Sequence, residues 1–294
     1  MTIDIMLPFY GRADHFAQAV RSVLAQTDGN WRLVVIDDAN PDTAPGEWAR
    51  SLADPRVEYR RHERNLGINA TFQECIDLSR AEWVTIFGCD DVMRPGYIAR
   101  VRELIARHTA ARIVHPGTGI IDAEGRPART LVDTAKALYR PRGPRPLLLS
   151  GAELATSLTR GNWMNFPALV WHGPTIREIG FQQGYDVVQD LALALDVCRA
   201  GGALLLDDEI VFDYRRHGGS VSSWRAVDGS RFTEEREFFT ALVADFRDRG
   251  WHRAARAARM HLSSRLNALT RMPSALRAGD RAGLAVLAGH VFLP

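Results

Sequence analysis

The 294-residue sequence lacks the features that mark several classes of protein. Its three cysteines are odd in number and have no metal-ligand spacing, which argues against a disulfide scaffold and against a zinc site. No basic segment precedes the short apolar stretch at residues 3–7, so we expect no signal peptide. No apolar run approaches the roughly 20 residues that span a bilayer. We therefore expect a cytoplasmic protein in a reducing compartment.

Glycine-rich phosphate-binding motifs are also missing. A dinucleotide-binding fold would carry Gly-x-Gly-x-x-Gly after its first strand, where residues 8–12 read Pro-Phe-Tyr-Gly-Arg, and no Walker lysine motif occurs. Phosphate binding would then fall to a metal ion and to side chains such as Arg64. Lys136 is the only lysine, and the formal net charge of +2 favours no class of partner; we expect no nucleic acid among the partners.

The first half of the sequence alternates apolar strands with amphipathic helices. Strands are predicted at 3–7, 32–38, 57–61 and 83–87, and helices around 16–24, 47–52 and 68–76. This alternation predicts an α/β fold with a mostly parallel, Rossmann-like sheet flanked by helices. The loops that follow the strands would meet at one edge and line a single crevice.

Two adjacent acids, Asp90 and Asp91, follow the predicted buried strand at 83–87. Neighbouring carboxylates repel each other unless a positive charge lies beside them, and a divalent cation commonly provides it. An Asp-rich turn that caps the next helix is the alternative. For an isolated pair of acids that alternative is the stronger one, so the rest of the chain has to decide.

Five segments in order along the chain resemble the successive motifs of family 2 glycosyltransferases with the GT-A fold. These segments are residues 7–12, 22–27, 35–39, 64–67 and 88–91. The resemblance implies an inverting, nucleotide-sugar-dependent enzyme that uses Mn²⁺ or Mg²⁺. It covers residues 1 to about 225 and does not extend into the C-terminal helices.

The resemblance also implies roles for individual residues. The turn after the first strand would bind the donor, with its backbone beside the nucleotide; this assigns Pro8, Phe9, Tyr10 and Arg12. Asp38 would accept a hydrogen bond from the base, Arg64 would lie near the diphosphate or base, Asp90 would face the ribose and Asp91 would bind the metal. The family often has Asp-x-Asp-Asp where this chain has Gly88 before Cys89, which leaves the division of duties between the two acids open.

Asp190 is the predicted general base. It begins a predicted buried helix, where the helix dipole favours an ionised acid, and an ordinary N-terminal helix acid is the alternative. Family 2 enzymes commonly carry Glu-Asp here, and this chain has Gln189 in place of the Glu. Nearby, Asn162 and Trp163 lie in an irregular stretch whose amides and aromatic rings suit a sugar acceptor, with core packing as the equal alternative.

The segment 214–222 resembles the family's Tyr-Arg-x-His-x-x-Ser element. The resemblance implies that His217 completes the metal shell and that Arg216 and Ser220 contact the diphosphate of the donor. A neutral imidazole beside a carboxylate suits a manganese-type site.

Periodicity is weak over residues 126–146, which we interpret as a lid over the donor or a solvated loop. Further strands are predicted at 113–115, 119–122, 203–206 and 209–214. Ser150 is predicted to cap a helix that ends near residue 160, with Glu153 completing a capping box.

The residues from 232 onward read as helices, with a basic one at about 252–271 that breaks at Pro273. These helices can form a cap over the enzyme or a homodimer contact, or hold the chain peripherally on the inner face of a membrane. The expected division is a nucleotide-sugar-binding half at 1–115, an acceptor-binding and catalytic half at 116–230, and a C-terminal helical extension at 231–294.

The expected function is transfer of a sugar from a UDP, dTDP or GDP sugar to a glycan or lipid-linked acceptor, in the synthesis of cell-surface polysaccharide or glycoconjugate. Two other classes stay open at this stage. A metal-dependent nucleotidyltransferase also uses paired acids on an α/β sheet, although it would carry a basic, glycine-rich loop after the first strand. A catalytically idle nucleotide-sugar-binding module is suggested by the departures at Gly88 and Gln189.

Overall fold

A computed structural model describes residues 1–217 and 230–292 of the chain. Its first half is a parallel β-sheet whose strands alternate with helices. The elements in chain order are β1 (Ile3–Phe9), α1 (Ala13–Leu24), β2 (Trp31–Asp37), α2 (Ala44–Ser51), β3 (Val57–Arg61), α3 (Ile68–Leu78) and β4 (Trp83–Ile86). β1 pairs in parallel with both β2 and β4, and β2 with β3, so the carboxyl ends of these strands meet at one edge.

The second half extends the same sheet around a long parallel pair, β6 with β9. Its elements are β5 (Val92–Met93), α4 (Tyr97–Arg107), β6 (Ala111–Ile121), α5 (Leu131–Tyr139), β7 (Leu147–Ser150), α6 (Gly151–Arg160), β8 (Val170–His172), α7 (Gly173–Ile179), α8 (Gln189–Arg199) and β9 (Ala203–Arg215). The strand order is β3-β2-β1-β4-β8-β6-β9-β5, with β7 also paired to β9. The antiparallel pairs are short, so the prediction of a mostly parallel α/β sheet is confirmed.

Helices cover both faces of this sheet. Along β2, Leu33 and Val35 belong to one buried apolar cluster, whereas Val34 and Ile36 belong to the cluster on the opposite face. A parallel strand that is buried on both sides reads as a continuous apolar run, which explains why these strands could be recognised in the sequence.

The prediction of a lid or solvated loop over residues 126–146 was wrong in part, because α5 lies within that segment. Thr130 accepts a hydrogen bond from the backbone N–H of Asp133, and the Asp133 carboxylate accepts one from Thr130, which is a complete capping box. Tyr139 of α5 packs against the core, but other apolar side chains of the helix face solvent, with Leu131 89% and Leu138 71% exposed. Thr130 and Asp133 are the sequence signal that could have identified the start of this helix.

Two other predictions differ from the structure. The strands expected at 113–115 and 119–122 form the single strand β6, because the residues between them make irregularities in the pairing with β9 instead of a turn. The strands expected at 203–206 and 209–214 likewise form β9. Ser150 precedes α6 as expected, but its side chain makes no capping hydrogen bond.

In the described residues from 230 to 292, four helices follow the sheet: α9 (Ser230–Asp248), α10 (His252–Met260), α11 (Leu262–Ala278) and α12 (Arg281–Phe292). The basic helix predicted at 252–271 is divided at His261, which has a positive φ of 26°, and Pro273 lies inside α11 and does not end it. Phe238, Phe246 and Ala254 join the same buried cluster as α6 and α8, so α9 and α10 pack directly on the α/β domain. Within residues 1–217 and 230–292, we find no helix with the length and apolar character needed to cross a membrane.

Candidate active site

The turn after β4 brings two carboxylates to the carboxyl edge of the sheet. Asp91 is buried and Asp90 is partly exposed beside it. A Cβ atom on Gly88 would lie 2.4 Å from Oδ2 of Asp91 and 3.1 Å from Oδ1 of Asp90. The position at which the family often has its leading acid is therefore filled here by the folded-back Asp91, and only glycine leaves room for it.

Asp91 is held by one oxygen and leaves the other without a partner. Its Oδ1 accepts a hydrogen bond from the backbone N–H of Arg215 at 2.8 Å, whereas its Oδ2 is buried and has no partner among the described residues. Burial, followed by the charge of Asp90, raises the pKa of Asp91. An orphaned buried carboxylate oxygen is costly unless something else binds it.

Asp90 pairs with the predicted histidine. Oδ2 of Asp90 lies 2.7 Å from Nε2 of His217, and the ring of His15 lies 5.5 Å from the ring of His217. The buried Arg215 fixes this corner, because its guanidinium donates to the backbone carbonyls of Asp90, Asp122 and Ala123 and to Gln18. His15 and Arg215 were not among the predicted site residues.

The described acids and imidazoles could bind a divalent cation whose other ligands are water and the phosphates of a substrate. Across residues 1–217 and 230–292, no group of three or more His, Cys, Asp or Glu side chains is arranged to hold a metal on its own. Asp90, His217 and the free oxygen of Asp91 nevertheless offer hard oxygen and imidazole donors at one corner. Mg²⁺ and similar ions are commonly held by one or two carboxylates, with water and substrate phosphates supplying the other ligands.

The predicted donor-binding turn is only partly exposed. Pro8 lies within β1, and Phe9 is buried and stacks on Phe16 at 4.1 Å, so only the backbone of Phe9 is suited to contact a nucleotide. Tyr10 is 56% exposed at the sheet edge. The Arg12 guanidinium forms an exposed ion pair with Asp14 at 2.6 Å.

Asp38 organises the neighbouring loop. Its carboxylate accepts hydrogen bonds from the backbone N–H groups of Leu66 and Gly67, at 2.7 and 2.9 Å, and lies 2.8 Å from Nδ1 of His62. A carboxylate has about four acceptor positions, so one remains for a base. Arg64, in the same loop, is exposed and has no partner in the part of the chain that the structure describes.

Asp190 occupies the first turn of α8, as predicted. Its Oδ1 accepts from the backbone N–H of Leu191 at 2.7 Å, and its Oδ2 accepts from Nδ2 of Asn162 at 3.2 Å. Burial raises the pKa of Asp190, and the charge of Lys136 opposes that rise. A carboxylate with a raised pKa that is still hydrogen-bonded in a fixed orientation has the properties of a general base.

Helix α5 connects this base to the acidic corner. Oδ1 of Asp133 accepts two hydrogen bonds from the guanidinium of Arg216, the neighbour of His217. One turn further along α5, the ammonium of Lys136 donates to the carbonyl of Met164 and to Oδ1 of Asn165. Burial lowers the pKa of Lys136 to about 8. The only lysine of the chain is thus part of the site.

The C-terminal extension also reaches the site. Oε1 of Glu234, on α9, accepts hydrogen bonds from three successive backbone N–H groups, those of Asp186, Val187 and Val188, at 3.0, 2.7 and 2.9 Å. These residues lead directly into α8 and Asp190. Sequence reasoning missed Glu234 because nothing in the local pattern around it points to a partner some 46 residues earlier.

Some of the residues considered for the site lie in the core or outside the described part of the chain. Trp163 is only 3% exposed, donates its indole N–H to Ser157 at 3.0 Å and packs in the core, so its ring face is closed to a sugar and the core-packing alternative holds. Asn162 stays at the site through Asp190. Burial, followed by Asp90, raises the pKa of the Cys89 thiol, which favours a small packing residue over a reactive one. Ser220 falls outside the described residues.

Comparison with known proteins identifies the family. The model of the family described as glycosyl transferase family 2 matches residues 4–154, which include both acids of the turn after β4. The chain belongs to glycosyl transferase family 2. The acids at 90 and 91 therefore lie in a matched family 2 segment, whereas Asp190 and His217 lie beyond it.

The chain is also similar to a curated relative and to solved structures. The succinoglycan biosynthesis protein ExoO of Rhizobium meliloti (strain 1021) is 25% identical over 228 residues, which cover 77% of this chain and 64% of that protein. The chain thus spans just under two thirds of this curated relative. The mannosyltransferase PcManGT from Pyrobaculum calidifontis, in complex with GDP-Man and Mn²⁺, aligns with a TM-score of 0.64 at 15% identity over 97% of this chain and 78% of that one.

A second solved structure aligns as well. TarS 1-349 of S. aureus, in complex with UDP-GlcNAc, has a TM-score of 0.64 at 12% identity and covers 99% of this chain and 91% of that one. At these identities the structures establish the shared GT-A-type fold, and what each of them binds is a property of that protein.

Proposed function

We propose that this chain is an inverting glycosyltransferase that moves a sugar from a nucleotide diphosphate sugar to an acceptor hydroxyl. The observation that carries the proposal is the pairing of Asp90 with His217 beside the free oxygen of Asp91, linked through α5 to the hydrogen-bonded Asp190. The proposal is further supported by family membership, and by the nucleotide sugars held in two structures of the same fold.

In the proposed reaction Asp190 accepts the proton of the acceptor hydroxyl. The acceptor oxygen then forms a bond to the anomeric carbon while the bond from that carbon to the diphosphate oxygen breaks, which inverts the anomeric centre. Asn162 and the backbone N–H of Leu191 hold the Asp190 carboxylate in place for this transfer. General-base assistance of this kind contributes about 10²–10⁴-fold in rate.

Asp91 and His217, with Asp90, would hold Mn²⁺ or Mg²⁺. When bound, such an ion neutralises the negative charge that develops on the departing diphosphate. Arg64 and Arg216 are proposed to contact the same diphosphate, and Asp38 and the backbone at Pro8 and Phe9 to bind the nucleoside. Tyr10 and Arg12 border that subsite, and Ser220 is retained as a donor contact from the sequence resemblance alone.

The acceptor is proposed to be a growing glycan or a lipid-linked saccharide, in the synthesis of cell-surface polysaccharide or glycoconjugate. The name of the relative ExoO, a succinoglycan biosynthesis protein, supports this class of product. The three free cysteines, two of them buried, support a reducing cytoplasmic location.

Release of free nucleoside diphosphate tests the proposal. The full chain is incubated with UDP, dTDP and GDP sugars, with and without Mn²⁺, while calorimetry measures donor binding in parallel. We expect one nucleotide series to bind and to release its diphosphate faster with Mn²⁺. Binding without release, in the presence of several glycan acceptors, would instead indicate an idle binding module, and no binding of any sugar nucleotide would overturn the proposal.

A further inference from the structure

The outer surface of α10, α11 and α12 is strongly basic. Residues 252–292 contain seven arginines and a single acid, Asp280. Six of the arginines are exposed and form no ion pair with any described residue: Arg253, Arg256, Arg259, Arg271, Arg277 and Arg281. We call the exposed sides of these three helices the basic face.

Large apolar side chains share the basic face. On α11, Leu262, Leu266, Leu269 and Leu276 follow a helical spacing and are 46–61% exposed. Phe292 on α12 is 70% exposed. Single exposed leucines are common on protein surfaces, but several exposed apolar side chains close together among cations are typical of an interaction surface.

A groove brings the two kinds of side chain into one concavity. It has a volume of about 520 Å³ and is lined by Arg256, Arg259, Arg265, Met260, Leu262 and Phe292. The groove therefore offers guanidinium groups and an apolar wall to the same ligand. A phosphate head group attached to an acyl chain has the matching chemistry.

The orientation of α10 explains why its arginines are exposed to solvent. Ala254, Ala255, Ala257 and Ala258 are buried, and α10 packs through this side on α6. Arg253, Arg256 and Arg259 recur every three residues and are all exposed, opposite the alanines. The helix is thus fixed to the domain by one side and presents its charge outward.

We propose that the basic face docks the enzyme on an anionic phospholipid bilayer, with the arginines at the head groups and the leucines and Phe292 in the interface. A second copy of the chain fits this face less well. A two-fold contact would set the same surface against itself and bring together six arginines from each copy, with Asp280 as the only acid of residues 252–292 in each. An anionic bilayer supplies the missing negative charge and also a place for the apolar side chains.

Vesicle flotation of the full chain tests the docking. We expect the protein to float with vesicles of mixed phosphatidylglycerol and phosphatidylcholine, to remain in solution with phosphatidylcholine alone, and to be released by added salt. The variant Arg253→Gln/Arg256→Gln/Arg259→Gln should lose about a hundredfold in partitioning, since each arginine near such a surface contributes about fivefold. Arg256→Gln alone should lose about fivefold if the triple variant does not fold.

Matched controls separate the basic face from net charge. Arg80→Gln/Arg107→Gln/Arg142→Gln removes the same charge from exposed positions elsewhere and should keep wild-type partitioning. Leu262→Ser/Leu266→Ser/Leu269→Ser should weaken binding to anionic vesicles while the far-UV circular dichroism spectrum stays that of the wild type. The proposal would be overturned by an equal loss of partitioning in the control variant or by equal binding to neutral vesicles. It would also be overturned if the protein bound no vesicles and formed a dimer that the leucine variant dissociates. Binding to duplex DNA that is tighter than binding to anionic vesicles, and that the leucine variant does not change, would overturn it as well.

Discussion

Asp190 is the residue on which the proposed chemistry depends. Its two oxygens accept hydrogen bonds from Leu191 and Asn162. An amide at this position would keep the shape and one of these hydrogen bonds, but it could not take a proton. We expect Asp190→Asn to reduce kcat by about 10²–10⁴-fold and to leave the Kd of the donor nearly unchanged, as measured by nucleotide release and by calorimetry. Asp248→Asn makes the same charge change at an exposed position and should behave as wild type. Wild-type turnover in Asp190→Asn would remove this residue from the mechanism.

Burial raises the pKa of Asp190, the proposed base, and the charge of Lys136 opposes that rise. The base acts when ionised, so activity falls as the pH drops through the raised pKa of Asp190, and the Lys136 ammonium moderates this rise. Removal of the charge in Lys136→Met should raise the pKa of Asp190 further and shift the acidic limb of the kcat profile to higher pH. Lys136→Arg keeps the charge and should hold the limb near its wild-type position. A uniform loss of kcat across the pH range, with no displacement of the limb, would show that Lys136 acts only through its hydrogen bonds to Met164 and Asn165.

At the residue scale, the sequence was informative where chemistry is local. Asp90 and Asp91 follow a recognisable buried strand, and Asp190 begins a recognisable helix. Arg215, Lys136 and Glu234 were missed because their contacts lie 28 to 197 residues away and no local pattern encodes them. The burial of Trp163 likewise depends on packing and not on the polar segment around it.

At the scale of elements, α5 is the helix that joins the two parts of the site. Thr130→Ala removes the hydroxyl that caps α5 and should cost about 1 kcal/mol of local stability. Because Asp133 and Lys136 are carried by this helix, we expect faster amide hydrogen exchange over residues 131–139 and a fall in kcat that exceeds the small change in the overall melting temperature.

Ser150→Ala is the matched control for this substitution. Ser150 stands at the same position relative to α6, but its side chain makes no capping hydrogen bond. Its replacement should change neither exchange nor turnover. If both variants behaved alike, the capping box of α5 would have no part in shaping the site.

The elements themselves were predicted unevenly for physical reasons. The strands and helices of the first half were found within a few residues of their ends, because both-face burial and amphipathic periodicity are strong signals. Helix α5 was missed, although Thr130 and Asp133 form the Ser/Thr-x-x-Asp/Glu pattern of a helix start. The segment between residues 115 and 119 was read as a break because Pro116 and Gly117 usually mark turns, whereas the long pairing with β9 carries β6 through it.

At the scale of the whole molecule, the helices after the sheet are joined to the catalytic part in two ways. One buried cluster contains Leu191 and Leu195 of α8 together with Phe238 and Phe246 of α9. Glu234 adds a polar connection at the entrance to α8. A boundary at residue 230 therefore separates segments of the chain, but packing is continuous across it.

Glu234 makes that connection testable. Three backbone N–H groups converge on one oxygen of its carboxylate, and hydrogen bonds to a charged group contribute about 1.5–3 kcal/mol each to local stability when they are partly shielded from water. In Glu234→Ala, the backbone N–H groups of residues 186–188 lose the carboxylate that accepts their hydrogen bonds. We therefore expect the start of α8 to shift and Asp190 to move away from the hydroxyl group of the sugar acceptor. A displacement of about 1 Å at a reacting group can cost up to about 10²-fold in rate, and we expect kcat to fall toward that limit while donor binding at the sheet edge is kept. Glu237→Ala, one turn further on the same helix and exposed, should leave kcat unchanged. If both variants retained wild-type kcat, the approach to α8 would be held by the buried cluster alone, and the C-terminal helices would contribute packing but no orientation to the base.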